Sequence, residues 1–284
     1  MSVEPPPDHV LAAFGLNAAR PAALGAGWED GWRCGEVVLS QVADHARAAW
    51  SAKVRETLFV DGVRLARPVR STDGRFVVSG WRADTFVAGT PEPRYDEVVS
   101  AAVRLHEATA KLERPRFLTQ PPSAPWAEVD VFIAADRAAW EDRPLHSLPS
   151  GARLAPGSAD GQRSIELLQA LAILRKPTRS PNQLVHGDLY GTVLFAGAAA
   201  PGITDITPYW RPTSWAAGVA VVDALSWGDA DDGLVERWDA LPEWPQMLLR
   251  ALMFRLAVHA LHPRSTAAAF PGLARTAAVV ESVI

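Results

Sequence analysis

Val185-His186-Gly187-Asp188-Leu189-Tyr190-Gly191-Thr192-Val193-Leu194-Phe195 places a charged, tight turn between two short apolar runs. Asp188 sits in the turn. A second carboxylate, Asp205, follows seventeen positions later inside Gly202-Ile203-Thr204-Asp205-Ile206-Thr207, again within an apolar run. A buried carboxylate is costly unless a cation, a metal or a hydrogen-bond donor receives it. Two of them on neighbouring strand-like segments imply a shared partner. Each also has a plainer reading, as a turn aspartate capping its own backbone, and Pro208 makes the second stretch a turn region in any case.

The composition narrows what that partner is. A chain of 284 residues, 48% hydrophobic and 21% charged, has room for two lobes with their own cores. No apolar run approaches eighteen residues, and Met1 to Asp8 is acidic and proline-rich, unlike a signal peptide. The single cysteine, Cys34, excludes an internal disulfide and fits a reducing compartment, so a cytoplasmic protein with no membrane association is expected. A net charge of −4 without a basic cluster argues against nucleic acid as a partner. Lys53, Lys111 and Lys176 are the only lysines among 28 basic residues, a bias that high-GC coding explains.

Working outward, the pattern is α+β and bipartite. Residues 1–90 read as strands and turns: a glycine-rich turn at 25–31, a strand at 36–40, a helix at 44–58 with Asp44 as N-cap. Strands follow at 63–69 and 75–79, joined by a Thr72-Asp73-Gly74 hairpin turn, with a linker at 80–83. Residues 91–284 read as a larger helical lobe. Its helices fall at 95–112, 158–174, 216–225, 243–261 and 267–283, with a proline-rich connection at 115–125. The hairpin region of Asp188 and Asp205 interrupts them. A ligand cleft between two such lobes is expected.

His186-Gly187-Asp188-Leu189, a strand and then Ile203-Thr204-Asp205-Ile206 resemble the aminoglycoside phosphotransferase and choline kinase-like family, a branch of the bilobal protein-kinase-like fold. Leu105-His106-Glu107-Ala108 looks like the Leu-His motif of that family, and Val222 to Gly228 like its downstream Asp-containing helix. The likeness spans roughly residues 20–260 and points to a divergent, actinobacterial subgroup. It implies ATP or another purine nucleotide and Mg²⁺ as cofactors. By the same resemblance Asp188 is the base that meets the acceptor hydroxyl and Asp205 the metal ligand. Phosphoryl transfer asks mainly for positioning and charge cancellation, which suits two carboxylates and a hard cation.

The sequence also departs from that pattern. The family's asparagine after the catalytic turn, a second metal ligand, is absent; the turn is one residue shorter and Thr192 stands in its place. The strand at 36–40 lacks the phosphate-binding lysine. Lys53, one helical turn before Glu56, is a candidate replacement, with Glu56 the candidate partner glutamate; both also read as solvated helix charges. Gly25, Gly27 and Gly31 precede a strand, as in a phosphate-covering hairpin, and do not fit the dinucleotide pattern. Trp28, Trp32, Trp50 and Trp81 read as core residues, although Trp81, in the linker, is also placed to line an adenine pocket. Arg211 falls where an activation-type loop runs and is a candidate contact for a phosphate or an acidic substrate. His259 and His262 are at helical spacing but lack a third ligand, so a structural role is expected.

Two functions follow. One is an ATP-dependent phosphotransferase acting on a small hydroxylated metabolite. The other is a pseudokinase, a nucleotide-binding or protein-binding module that has lost transfer along with its lysine and asparagine.

Overall fold

In a computed structural model, which describes residues 4–119, 128–141 and 159–284, the chain opens with α1 (Asp8–Ala13), β1 (Ala22–Ala23), β2 (Trp32–Cys34) and β3 (Val37–Gln41). It continues through α2 (His45–Thr57), β4 (Arg64–Leu65), β5 (Pro68–Val69), β6 (Val77–Val78), β7 (Trp81–Thr85) and α3 (Tyr95–Thr109). Next come α4 (Glu128–Trp140), α5 (Ala159–Ala172), β8 (Gln183–His186), β9 (Val193–Leu194), β10 (Gly202–Ile203) and β11 (Pro208–Arg211). The chain ends in α6 (Thr213–Trp227), α7 (Leu234–Arg237), α8 (Trp244–Leu261) and α9 (Phe270–Glu281). Residues 120–125 of the expected proline-rich connection, and Ser158 at the expected start of α5, lie outside the described residues. None of the described helices is long and apolar enough to cross a membrane.

Two compact units emerge, Met1–Leu112 with Leu184–Tyr209, and Glu113–Gln183 with Trp210–Ile284. The dividing line therefore falls elsewhere than residue 90, because α3 and the hairpin region belong with the N-terminal strands. Thr109 Oγ1 of α3 donates to Leu184 O at 2.9 Å. Strand β10 adds itself in parallel to β4, Ile203 opposite Leu65.

The first unit is built on the antiparallel order β1-β2-β3-β7-β5, with β6 also on β7. Consecutive Val38, Leu39 and Ser40 on β3 are all buried, as expected of a strand covered on both faces. Asp44 caps α2 as expected, its Oδ1 accepting from the N–H groups of Ala46 (2.9 Å) and Arg47 (3.1 Å). The expected strand at 63–69 is two: β4 joins β10, whereas β5 begins at Pro68 and takes the sheet edge, where a missing N–H is tolerated. The Thr72–Gly74 turn closes locally, with Ser71 N–H to Arg75 O at 2.9 Å. It does not make the expected hairpin, since β5 and β6 both pair with β7 and not with each other.

The expected linker at 80–83 is also corrected. Ser79 (φ 48°) and Gly80 (φ 78°) form the turn that joins β6 to β7, and the residues after it are strand. Trp81 is 5% exposed and packs with Val10, Leu11, Phe14, Leu39 and Val78. Its ring is core, so the adenine-lining role expected of Trp81 is withdrawn. Helix α1, unread in the proline-rich N-terminus, exists to bury Val10 and Leu11 in that cluster.

The second unit is helical. Nearly every side chain of α8 is buried, and α4, α5, α6 and α9 pack around it, the pattern of a helix that is apolar on all sides. Gly218 lets α6 approach α8, since a Cβ there lies 3.3 Å from Met247 O. Asp223 on α6 receives the Arg255 guanidinium from α8, with Nε to Oδ1 at 2.7 Å, both buried. His259 spends both ring nitrogens, on Ser164 Oγ (2.8 Å) and Thr266 O (3.0 Å).

Candidate functional site

The His186–Asp188 turn is fixed by its histidine. His186 Nδ1 accepts from the N–H groups of Asp188 and Thr207, both at 3.3 Å. The His186 N–H in turn donates to His106 Nε2 at 3.0 Å. The Leu-His and His-Gly-Asp motifs thus touch, and each ring acts as an acceptor, which requires it to be neutral. Burial keeps them so: it lowers the pKa of both, and pushes His106 down to about 3. Gly187 is obligatory because a Cβ would sit 2.4 Å from the Tyr209 ring. Thr192 Oγ1 donates to the Asp188 carbonyl at 2.7 Å, closing the shortened turn.

Asp205 lies in a dense ionic cluster. Its Oδ1 accepts from Ser51 Oγ at 2.5 Å and meets Arg55 Nε at 3.3 Å. Its Oδ2 pairs with Arg82 Nη1. Arg55, fully buried on α2, reaches onward to Asp84 Oδ1 and Ala66 O, each at 2.7 Å. Arg82 on β7 lies 3.5 Å from Asp84 Oδ2 and 3.1 Å from Glu29 Oε2. Two guanidiniums therefore face three carboxylates. Burial opposes ionisation of Asp205, yet Arg82 and Arg55 hold its carboxyl well below the usual carboxylate range. Half of the Glu29 side chain meets solvent, but the protein crowded around its carboxyl group raises its pKa, against the pull of Arg82.

The glycine-rich segment is the β1–β2 hairpin turn, Ala22 opposite Arg33. It folds onto itself as a 3₁₀ turn over Ala26–Trp28. The N–H groups of Trp28, Glu29, Asp30 and Gly31 bond to Gly25 O, Ala26 O, Gly25 O and Trp28 O, at 2.9, 2.9, 3.3 and 2.9 Å. A phosphate-cradling turn needs such groups aimed outward; here they are spent. Gly27 is required by packing, a Cβ meeting Leu194 Cδ2 at 2.7 Å, and Gly31 by Ser40 Oγ at 2.7 Å, whereas Gly25 faces open space. Trp28 is buried among Val38, Ala66, Val87 and Leu194 and stacks on Phe86 with centroids 5.9 Å apart. This arrangement is costly. The buried Trp28 Nε1 lacks a hydrogen-bond partner, worth about 1–3 kcal/mol, and Glu29 and Asp30 both adopt left-handed φ, 52° and 54°, at about 1–2 kcal/mol each.

The structure brings together Asp188, Asp205 and the Gly25–Gly31 hairpin, all in the first unit. Other expected residues are elsewhere. Lys53 is exposed on α2. Glu56 is exposed too and pairs with Arg70 at 2.8 and 3.0 Å, so it serves no lysine. Arg211 lies on β11, its guanidinium bound in bidentate fashion by Asp136 at 2.7 and 2.6 Å. Instead of a substrate, it meets a neighbouring helix. The residues missed from the sequence are Ser51, Arg55, Arg82, Asp84 and Glu29. Their signal was present but hidden: a charged pair, Arg82 and Asp84, alternates with Trp81 and Ala83 on a strand taken for a linker.

The expected Mg²⁺ does not fit this arrangement. Both Asp205 oxygens already face cationic or hydroxyl donors, and the Thr192 hydroxyl is turned to a carbonyl. Among the described residues no group of three or more His, Cys, Asp or Glu is arranged to hold a metal ion.

No protein-family model and no curated protein sequence matches the chain. Solved structures do. The microcompartment-associated aminopropanol kinase matches with a TM-score of 0.54 and 17% identity, over 93% of this chain and 90% of that one. A thermostable mutant of aminoglycoside phosphotransferase APH(4)-Ia, in a ternary complex with ADP and hygromycin B, gives 0.56 and 14% over 99% of each chain. Spectinomycin phosphotransferase APH(9)-Ia, in complex with ADP and spectinomycin, gives 0.56 and 9% over 97% and 96%. The chain has the α+β, kinase-like fold of the aminoglycoside phosphotransferases, as its His-Gly-Asp turn led us to expect.

Proposed function

We propose that the protein is a pseudokinase of this fold, a module that binds a purine nucleotide without a divalent metal. The observation that carries this reading is the engagement of both Asp205 oxygens by Ser51, Arg55 and Arg82. Mg²⁺ would have to displace Ser51, Arg55 or Arg82 from the Asp205 oxygens, and separating these buried charges is costly. Arg82, an always-charged group with a planar fork of donors, suits phosphate better than a mobile lysine does. Two of the compared structures hold ADP, and ATP or ADP is the ligand assigned here. The test is calorimetry of ATP binding with EDTA and with Mg²⁺. Equal affinity supports the reading, and binding that requires Mg²⁺ refutes it.

A second reading, a phosphotransferase for a small hydroxylated metabolite, is favoured by one observation. The His186–Asp188 turn is built with care: two buried histidines, an obligatory glycine and a backbone-bonded threonine fix where Asp188 stands. A general base needs such positioning. ATP turnover with candidate amino alcohols, abolished in Asp188→Asn, would establish it. The compared structures are an aminopropanol kinase and phosphotransferases in complex with hygromycin B and spectinomycin, which makes hydroxylated amines the first acceptors to try.

A further inference from the structure

Two adjacent residues of the hairpin turn resemble a ligand in outline. Trp28 offers a planar bicyclic ring, sunk between Val38, Ala66, Val87 and Leu194 and stacked on Phe86. Glu29, the next residue, offers an anion to Arg82 at 3.1 Å. An aromatic bicycle followed by an anion is the chemical order of a purine nucleotide. The pair is also held under strain. Trp28 leaves its indole N–H unbonded in a buried place, where water would satisfy it outside. Glu29 and Asp30 take left-handed backbone conformations that side-chain-bearing residues avoid. Glu29 brings a third carboxylate to a cluster already holding Asp84 and Asp205. A segment retained in spite of these costs is poised to leave if something better fills its place.

We propose that Trp28 and Glu29 are a built-in occupant of the nucleotide site, the indole in the base slot and the carboxylate on Arg82, which an incoming purine nucleotide expels. The inference rests on the nucleotide-binding reading above and adds its regulation: affinity is set by competition with the protein's own hairpin. Every residue involved, including Val38, Phe86 and Leu194, lies in the first unit. Expulsion breaks no covalent bond. It exchanges the Glu29–Arg82 ion pair for a phosphate–Arg82 pair, and frees the four N–H groups that the turn holds internally.

The test is ATP binding in EDTA by calorimetry, on the full chain and on Trp28→Ala and Glu29→Gln. Removing an internal competitor lowers the dissociation constant, since the competent state is no longer the minor one. We expect at least a tenfold gain in each variant. In parallel, hydrogen exchange at the amides of 28–31 should quicken when ATP saturates the wild type. Trp28→Ala also removes core volume. If it fails to fold, Glu29→Gln, which leaves the core intact, decides the matter alone. ATP that binds the wild type and Glu29→Gln equally, with unchanged exchange at 28–31, overturns this inference and leaves the nucleotide reading standing. ATP that binds none of the folded proteins removes that reading, and this inference with it.

Discussion

Ser40 on β3 stands opposite Arg82 on β7 in the antiparallel register. The cation that the strand at 36–40 lacks is therefore supplied across one ladder step, from the neighbouring strand. From there Arg82 reaches Asp205, Asp84 and Glu29 together, which a point-charged lysine could not do. Arg82→Ala should abolish ATP binding, and Arg82→Lys should weaken it at least tenfold. Lys53→Ala, an exposed change, should leave affinity within about twofold and stability within about 0.5 kcal/mol. Calorimetry on the three variants checks the assignment; loss of binding in Lys53→Ala alone would reverse it.

Asp205 should behave as a structural anion. In Asp205→Asn the buried Arg55 and Arg82 lose one carboxylate partner but keep Asp84, so the change should destabilise the fold by less than the about 3–5 kcal/mol of a fully uncompensated buried charge. Urea denaturation measures this. A carboxylate kept for metal, with like charges nearby, would instead be neutral or stabilising to remove in the absence of metal.

The two buried histidines make the fold acid-sensitive. His106 and His186 have folded pKa values below the ordinary 6.5, His106 at about 3, so on acidification the unfolded chain binds protons that the native one refuses. Stability is full above pH 6.5 and falls as pH drops toward 3. Linkage gives about 2 kcal/mol for His106 between pH 7 and 5, and His186 adds to the loss in the same direction. His106→Gln, whose side-chain oxygen can still accept from the His186 N–H, should reduce the drop by the His106 share, about 2 kcal/mol. Denaturation midpoints across that range provide the measurement, and a flat profile would show the rings to be charged or solvated.

Arg211 and Asp136 form a largely shielded bidentate pair, with side-chain exposures of 19% and 16%. Arg211→Ala should cost about 1–3 kcal/mol of stability, as for a hydrogen-bonded charge, while ATP affinity stays the same. A fall in affinity without a fall in stability would restore Arg211 as a ligand contact.

Much of this was legible in the residues. The charged turn at Asp188 and the capped helix after Asp44 could be read because each shows in the local pattern: a His-Gly-Asp turn between two apolar runs, and a carboxylate just before a helix start. What could not be read was set by register. Nothing local says that Arg82 will face Ser40, or that Arg55, four residues after Ser51, will turn inward to Asp84 and Asp205. In a chain with three lysines against a large excess of arginines, no single arginine stands out. Trp81 is misplaced for the same reason: Gly80 reads as the start of a linker, whereas Ser79 and Gly80 form the turn that leads into β7. The helix at 128–140 goes unread because it follows a proline-rich stretch and carries no N-cap signal.

Guanidiniums stand where a metal is expected. The most direct measurement is ATP affinity by calorimetry in EDTA and again in excess Mg²⁺, with Arg82→Ala as control. We predict the same dissociation constant within about threefold in both, and no binding in the control. Affinity that rises by two orders of magnitude or more with Mg²⁺, equivalent to about 2.8 kcal/mol, would contradict it and return Asp205 to the role of metal ligand.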